Sequence, residues 1–274
     1  MAPVLAGTGV AAYDGTAGDA VWWKALLALV VSLALQVAVN YANDYSDGIR
    51  GTDDVRVGPM RLVGSGAAPA GAVKRAAFLA FGVAGVAGLA LAATTAWWLL
   101  AVGLVSVLAA WYYTGGAKPY GYLGLGEVMV FVFFGLVAVV GTTYVQTEHW
   151  SSAALAAGVG IGALACAILV VNNLRDIPTD REVGKLTLAV RLGERRTRLL
   201  YAGLVAVAAV AVVVVAALTS WWALVGLGFL VLGGRGTAIV LGGARGPGLI
   251  PVLQTTGVAE LAWAVLVAGA LVLA

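Results

Sequence analysis

Two stretches of this chain place carboxylates, carboxamides and basic side chains in close order: NYANDYSDGIRGTDDVRVGPMR at 40–61 and VNNLRDIPTDREVGK at 171–185. On a helix, Asn40, Asp44 and Asp47 fall on one face at i, i+4 and i+7. Asn173, Asp176 and Asp180 repeat nearly the same geometry at i, i+3 and i+7, with Asn172 beside them. Aspartates at a helix C-terminus meet the negative end of the macrodipole and repel one another, so a cation must compensate. An oxygen-only donor set suits a hard divalent ion, and Mg²⁺ binds through one or two carboxylates together with phosphate oxygens. The neighbouring Arg and Lys side chains provide what a diphosphate needs on its other oxygens. The competing reading is that each aspartate forms a structural salt bridge with its own basic neighbour. A single Asp-x-x-Asp would not separate the two readings. Two matching, identically oriented stretches about 130 residues apart, resembling an internal repeat, favour the metal and diphosphate.

The elements that hold these residues are membrane spans. Of 274 residues 62% are hydrophobic and only 11% charged, and the mean hydropathy is +0.99. A soluble domain carries about 25% charged residues, so soluble globular, disordered, fibrous and coiled-coil classes are excluded. Apolar segments fall at about 2–12, 21–43, 73–93, 96–113, 123–145, 152–174, 197–218, 221–242 and 251–273. Most reach the roughly 20 residues needed to cross a hydrocarbon core as a helix, without the alternation of a β-barrel. The expectation is an all-α polytopic membrane protein, a nine-helix bundle forming one integral domain over 1–274, with eight crossings and a short first helix. That first segment has about 11 residues and no basic region before it, so it reads as an incomplete helix rather than a signal peptide.

Threading the nine segments alternately puts the loops at 44–72, 114–122, 175–196 and 243–250 on one side. These loops and the helix ends beside them hold every Lys and Arg except Lys24, which lies next to Trp22 and Trp23. The positive-inside rule makes that side cytoplasmic and the location the cell membrane. Both aspartate stretches are on it. Small residues recur at helix-packing spacing, for example Gly82, Gly85 and Gly88, or Gly158 and Gly162.

Several other functions lack support. The net charge of +3 reflects this sidedness and not a nucleic-acid surface. Cys166 is the single cysteine and lies in an apolar run, which excludes a disulfide framework and a thiolate cluster. His149 is also alone, without ligands at metal spacing. A transporter, the rival class, should carry its ionisable residues near the bilayer midplane on broken helices, whereas here they cluster at helix ends. The sequence carries no signal for an oligomeric state.

The two aspartate stretches resemble the two aspartate-rich motifs of the UbiA-type intramembrane prenyltransferases, and the count of nine helices matches that fold. VNNLRDIPTDREVGKLTLAVRLG, YTGGAKPYGYLGLGEVMVFVFFG and NDYSDGIRGTDDVRVGP together resemble the 1,4-dihydroxy-2-naphthoate polyprenyltransferase (MenA) branch. The resemblance implies transfer of a polyprenyl chain from polyprenyl diphosphate to 1,4-dihydroxy-2-naphthoate, with loss of CO2 and diphosphate, giving demethylmenaquinone; a related prenyltransferase with another aromatic acceptor is the alternative. It further implies that Asp44, Asp47, Asp176 and Asp180 are catalytic and hold Mg²⁺, with Asn40, Asn172 and Asn173 beside them. Arg56, Arg61, Lys118, Arg175 and Lys185 would meet phosphate oxygens. Tyr112, Tyr113 and Tyr120 would face an allylic cation. Many family members place a third aspartate where this chain has Gly51, and Asp53 is the nearest candidate.

Overall fold

The computed structural model describes residues 1–15, 21–51 and 60–274. The described residues form helices α1 (Ala2–Asp14), α2 (Trp22–Arg50), α3 (Ala70–Thr94), α4 (Leu99–Tyr112), α5 (Gly126–Thr147), α6 (Ser152–Glu182), α7 (Leu188–Leu218), α8 (Trp221–Leu241) and α9 (Gly246–Val272). The expected nine-helix, all-α architecture is therefore the observed one. Seven of the nine are long and apolar enough to cross a membrane. The other two are shorter. α1 has 13 residues. α4 has 14, a rise of about 21 Å against a core of roughly 30 Å, although turn bonds from Leu99, Leu100 and Ala101 to Ala96, Trp97 and Trp98 extend its winding backwards. The crossing expected at 96–113 is thus the short helix α4, and the short first segment expected at 2–12 is α1.

The helices group into two compact units that interleave along the chain. The first comprises Met1–Ala25, Glu127–Arg175 and Leu192–Ala274, the second Leu26–Gly126 and Asp176–Arg191.

In the first unit the backbones approach closely wherever glycine permits. A Cβ on Gly135 would stand 2.5 Å from the Cα of Gly162 and 2.6 Å from the carbonyl oxygen of Gly158, so α5 and α6 touch there. Gly135 sits in a wide, π-type stretch of α5 over Phe131–Val137. Gly9 meets α9 at Ala268 in the same way, and Gly160 packs under the fully buried indole of Trp263. Interhelical hydrogen bonds add to this packing, since an apolar solvent leaves polar groups no other partner. Trp263 Nε1 donates to the Ala208 carbonyl at 3.0 Å, Tyr201 and Thr256 share a hydroxyl bond of 2.8 Å, and Thr143 donates to the Gly7 carbonyl at 2.9 Å.

In the second unit, Trp111 of α4 lies between Tyr45 of α2 and Phe78 of α3, at ring separations of 6.2 and 5.1 Å. The face that α3 buries is Val73, Ala77, Phe81, Ala84, Ala87 and Leu91. This corrects one expectation. Among the described residues no atom lies near a would-be Cβ on Gly82, Gly85 or Gly88, so this glycine row makes no close packing contact there, whereas the Gly158 and Gly162 pair does.

Candidate active site

α2 has 29 residues and rises about 43 Å, so its last turns extend beyond what a hydrocarbon core requires. Those turns carry the first aspartate motif. Asp44 is buried, and its two carboxylate oxygens accept the backbone N–H groups of Leu62 and Val63 at 2.9 and 3.0 Å. The carboxylate therefore holds residues 61–63 against the helix end, and Gly48 makes room for them, since a Cβ there would stand 2.5 Å from Val63. This brings Arg61 beside Asp44 in the chain's fold. Asn40 is exposed and donates to the Gln36 carbonyl one turn back, whereas Asn43 accepts the Thr114 hydroxyl at 2.8 Å.

Asp47 is equally buried, and its Oδ1 accepts the Tyr122 hydroxyl at 2.8 Å. Tyr122 belongs to a tight turn at Tyr120–Leu123 whose shape follows from its sequence. Pro119 enters in extended conformation, and Gly124 leaves at φ 79°, a left-handed conformation that favours glycine. The Tyr120 hydroxyl donates to the Ala109 carbonyl at 2.5 Å, Gly121 N–H donates to the Tyr113 carbonyl at 2.9 Å, and the Tyr113 and Tyr120 rings meet edge to face at 5.5 Å. Burial pushes the Tyr120 phenol up to about 12, so it remains a neutral donor at physiological pH.

Two cations flank the ring of Tyr122. The Arg50 guanidinium lies 5.6 Å from its centroid and the Lys185 ammonium 4.9 Å. Arg50 also donates to the carbonyls of Thr114 and Gly116, which ties the end of α2 to the loop carrying Lys118. Lys118 itself is exposed, as is Tyr112.

The second motif occupies the end of α6. Asp180 is buried, and Asp176 lies one turn before it at intermediate exposure. Pro178 between them lacks an N–H and so leaves the Leu174 carbonyl without its helical donor. The helix then closes with Gly184 at φ 72°, while Lys185 N–H returns to the Asp180 carbonyl at 2.8 Å, the six-to-one bond of a glycine-terminated helix. That reversal places Lys185 against Tyr122. Thr187, the residue before α7, donates its hydroxyl to Asp180 Oδ2 at 3.4 Å.

Asp44, Asp47, Asp176, Asp180, Arg61, Lys118, Lys185 and the three expected tyrosines all belong to the second unit. Asn172, Asn173 and Arg175 belong to the first. There the Arg175 guanidinium donates to Asn172 Oδ1 at 2.9 Å, and the Asn173 amide donates to Glu127 Oε1 at 3.0 Å. Asp53 and Arg56 lie outside the described residues.

Three participants escape a reading of motifs alone. Asn43 lies within the first motif, three residues after Asn40 and four before Asp47, but is not one of the expected residues. Tyr122 lies two residues from the expected Tyr120, and only the turn geometry decides which of them reaches the aspartate. Glu127 is a lone buried acid in the first turn of α5, and its Oε2 has no hydrogen-bond partner. An acid opening an apolar span was the available signal.

Among the described residues no three His, Cys, Asp or Glu side chains converge into an all-protein metal cage. The donors that each helix end carries are carboxylate and amide oxygens. A carboxylate offers about four lone-pair sites, so Asp44 retains acceptor capacity beyond its two bonds to Leu62 and Val63. Such a set fits a Mg²⁺ ion that takes its remaining ligands from phosphate and water.

A 1,4-dihydroxy-2-naphthoate octaprenyltransferase of Mycobacterium tuberculosis is 56% identical over 271 residues, covering 99% of this chain and 91% of that protein. One of the same description from Mycobacterium leprae is 56% identical over 274 residues, covering 100% and 92%. Among solved structures, a UbiA homologue of Archaeoglobus fulgidus bound to DMAPP and Mg²⁺ aligns with a TM-score of 0.59 at 16% identity, over 99% of this chain and 95% of that one. The same fold recurs in a digeranylgeranylglyceryl phosphate synthase, with a TM-score of 0.60 at 13% identity over 99% and 94% of the two chains. The pattern of the UbiA prenyltransferase family matches residues 1–241, and this chain belongs to that family.

Proposed function

We propose that this protein transfers a polyprenyl chain from polyprenyl diphosphate to 1,4-dihydroxy-2-naphthoate, releasing CO2 and diphosphate and yielding demethylmenaquinone in its reduced, hydroquinone form. The observation that carries this reading is the 56% identity, sustained over 99% of the chain, to a 1,4-dihydroxy-2-naphthoate octaprenyltransferase. The chain acts as a single integral domain of the cell membrane with both aspartate motifs on the cytoplasmic side.

Asp44, Asp47, Asp176 and Asp180 would hold Mg²⁺. Bound there, the ion supplies positive charge that stabilises a departing diphosphate. Arg61, Lys118, Arg175 and Lys185 contribute cationic donors to phosphate oxygens, and Asn40, Asn172 and Asn173 contribute amides beside the aspartates. As the C–O bond breaks, its electron pair leaves with the diphosphate and an allylic cation remains, which the rings of Tyr112, Tyr113 and Tyr120 can face. The electron-rich naphthoate ring attacks the cation at the carboxylated carbon. Loss of CO2 then returns the electrons of the broken C–C bond to the ring and restores aromaticity. No general base is required at that carbon. An apolar surround keeps water from quenching the cation.

The test is to incubate purified protein with Mg²⁺, prenyl diphosphates of graded length and a panel of aromatic acceptors, and to identify products by mass spectrometry. Prenylated, decarboxylated product from the naphthoate alone is the expected result. Product from a different acceptor, and none from the naphthoate, would overturn the assignment.

A further inference from the structure

We infer that Tyr122 is the positioning residue of the diphosphate site: its hydroxyl holds the Asp47 carboxylate in orientation for the metal, and its ring holds the Arg50 and Lys185 cations beside it. This rests on the reading of the aspartate motifs as a Mg²⁺–diphosphate site.

Three independent observations meet at this side chain, all within the second unit. The hydroxyl donates to a carboxylate that is 3% exposed. A buried carboxylate with a fixed donor on one oxygen has few remaining orientations, and such outer partners govern how well a ligand serves its metal. The ring carries cations at 5.6 and 4.9 Å that come from distant parts of the sequence, Arg50 within the first motif and Lys185 from the reversal after the second. A π-face draws them together without neutralising them, in contrast to a carboxylate, so both keep their charge for an anion. Finally, the turn that presents Tyr122 is braced by the Tyr120 hydroxyl on Ala109 and by the Gly121 amide on Tyr113. The phenol is therefore placed by the backbone and does not wander with the ligand. One residue thereby joins the first motif, the loop after α4 and the exit of the second motif.

The two halves of this role separate by substitution. Tyr122→Phe removes the hydroxyl and keeps the ring, and Tyr122→Leu removes both. Asp47→Asn serves as the control for the metal site itself. The first readout is thermal stabilisation of the detergent-purified chain by geranyl diphosphate as Mg²⁺ is titrated, which requires no turnover. The second is the KM for prenyl diphosphate at saturating Mg²⁺. Tyr122→Phe is expected to raise the half-saturating Mg²⁺ concentration by about tenfold, the usual effect of losing a partner of a metal ligand, while KM stays near the wild-type value. Tyr122→Leu is expected to raise KM as well, by about fivefold, as the cations lose the ring.

Wild-type Mg²⁺ response in Tyr122→Phe, with that response abolished in Asp47→Asn, would overturn the role of Tyr122 and leave the metal site standing. A wild-type chain that shows no Mg²⁺-dependent stabilisation by geranyl diphosphate would overturn both. If Tyr122→Leu does not fold, Tyr122→Phe alone decides the hydroxyl's part. The ring's part is then read from Tyr122→Trp, which is expected to keep KM low while its Mg²⁺ requirement rises; a raised KM would overturn it.

Discussion

At the scale of single residues, the four aspartates are not equivalent, and this shapes what substitution will do. Asp44 accepts two backbone N–H groups, one on each oxygen. An asparagine has one acceptor oxygen, so Asp44→Asn leaves one of those N–H groups unmatched and should cost about 1 kcal/mol of stability whatever its catalytic role. Asp176, by contrast, is only half-buried. A metal site predicts that Asp44→Asn and Asp176→Asn both lose most turnover per folded molecule and lose stabilisation by Mg²⁺ with prenyl diphosphate. Structural salt bridging predicts early melting with normal turnover of the folded fraction. Turnover normalised to folded protein, measured together with melting, separates these outcomes. The motifs themselves were readable because charge is so scarce in this chain that every carboxylate is conspicuous. The hydrogen bonds of Asp44 and the choice of Tyr122 over Tyr120 were not, because they depend on a turn and on a loop returning from 18 residues away.

At the scale of elements, the helices could be read almost directly. Each span must satisfy its backbone internally and present apolar side chains to lipid, which writes a long apolar run into the sequence. Which face of a helix packs is a different matter, because in lipid both faces are apolar. The glycines of α3 illustrate the ambiguity. A Cβ on Gly82 would meet no described atom within 4 Å, whereas one on Gly135 would stand 2.5 Å from the backbone of α6. Gly135→Ala should therefore destabilise by roughly 1–3 kcal/mol through overpacking, and Gly82→Ala should melt at or slightly above the wild-type temperature, as alanine is the better helix former by about 1 kcal/mol. Thermal melting in detergent checks the pair. Equal effects at the two positions would mean that the α5–α6 approach is not tight. Similarly, a row of small residues marks where helices can approach, and only the partner helix decides where they do.

At the scale of the whole molecule, the proposed orientation, with the aspartate ends in the cytoplasm, rests on the distribution of basic residues. The tryptophans mark an interface without fixing its side. Trp22, Trp97, Trp98, Trp150, Trp221 and Trp222 are exposed, and all lie at helix ends opposite in threading to the aspartate motifs, as expected for an interfacial aromatic belt. Cysteine labelling tests the orientation. Ser65 follows the first motif and Ser152 begins α6; both are exposed, while the native Cys166 is buried. An impermeant thiol reagent added to intact cells should modify Ser152→Cys and spare Ser65→Cys. The reverse pattern would invert the topology.

The chemistry proposed for the molecule makes a stoichiometric demand that one measurement can meet. With 1,4-dihydroxy-2-naphthoate labelled in its carboxyl carbon, attack at the carboxylated position requires one labelled CO2 for each diphosphate released and each prenylated product formed, and all three should vanish together when Mg²⁺ is chelated. A prenylated product that retains the labelled carboxyl, or labelled CO2 released at the same rate without prenyl diphosphate, would contradict it.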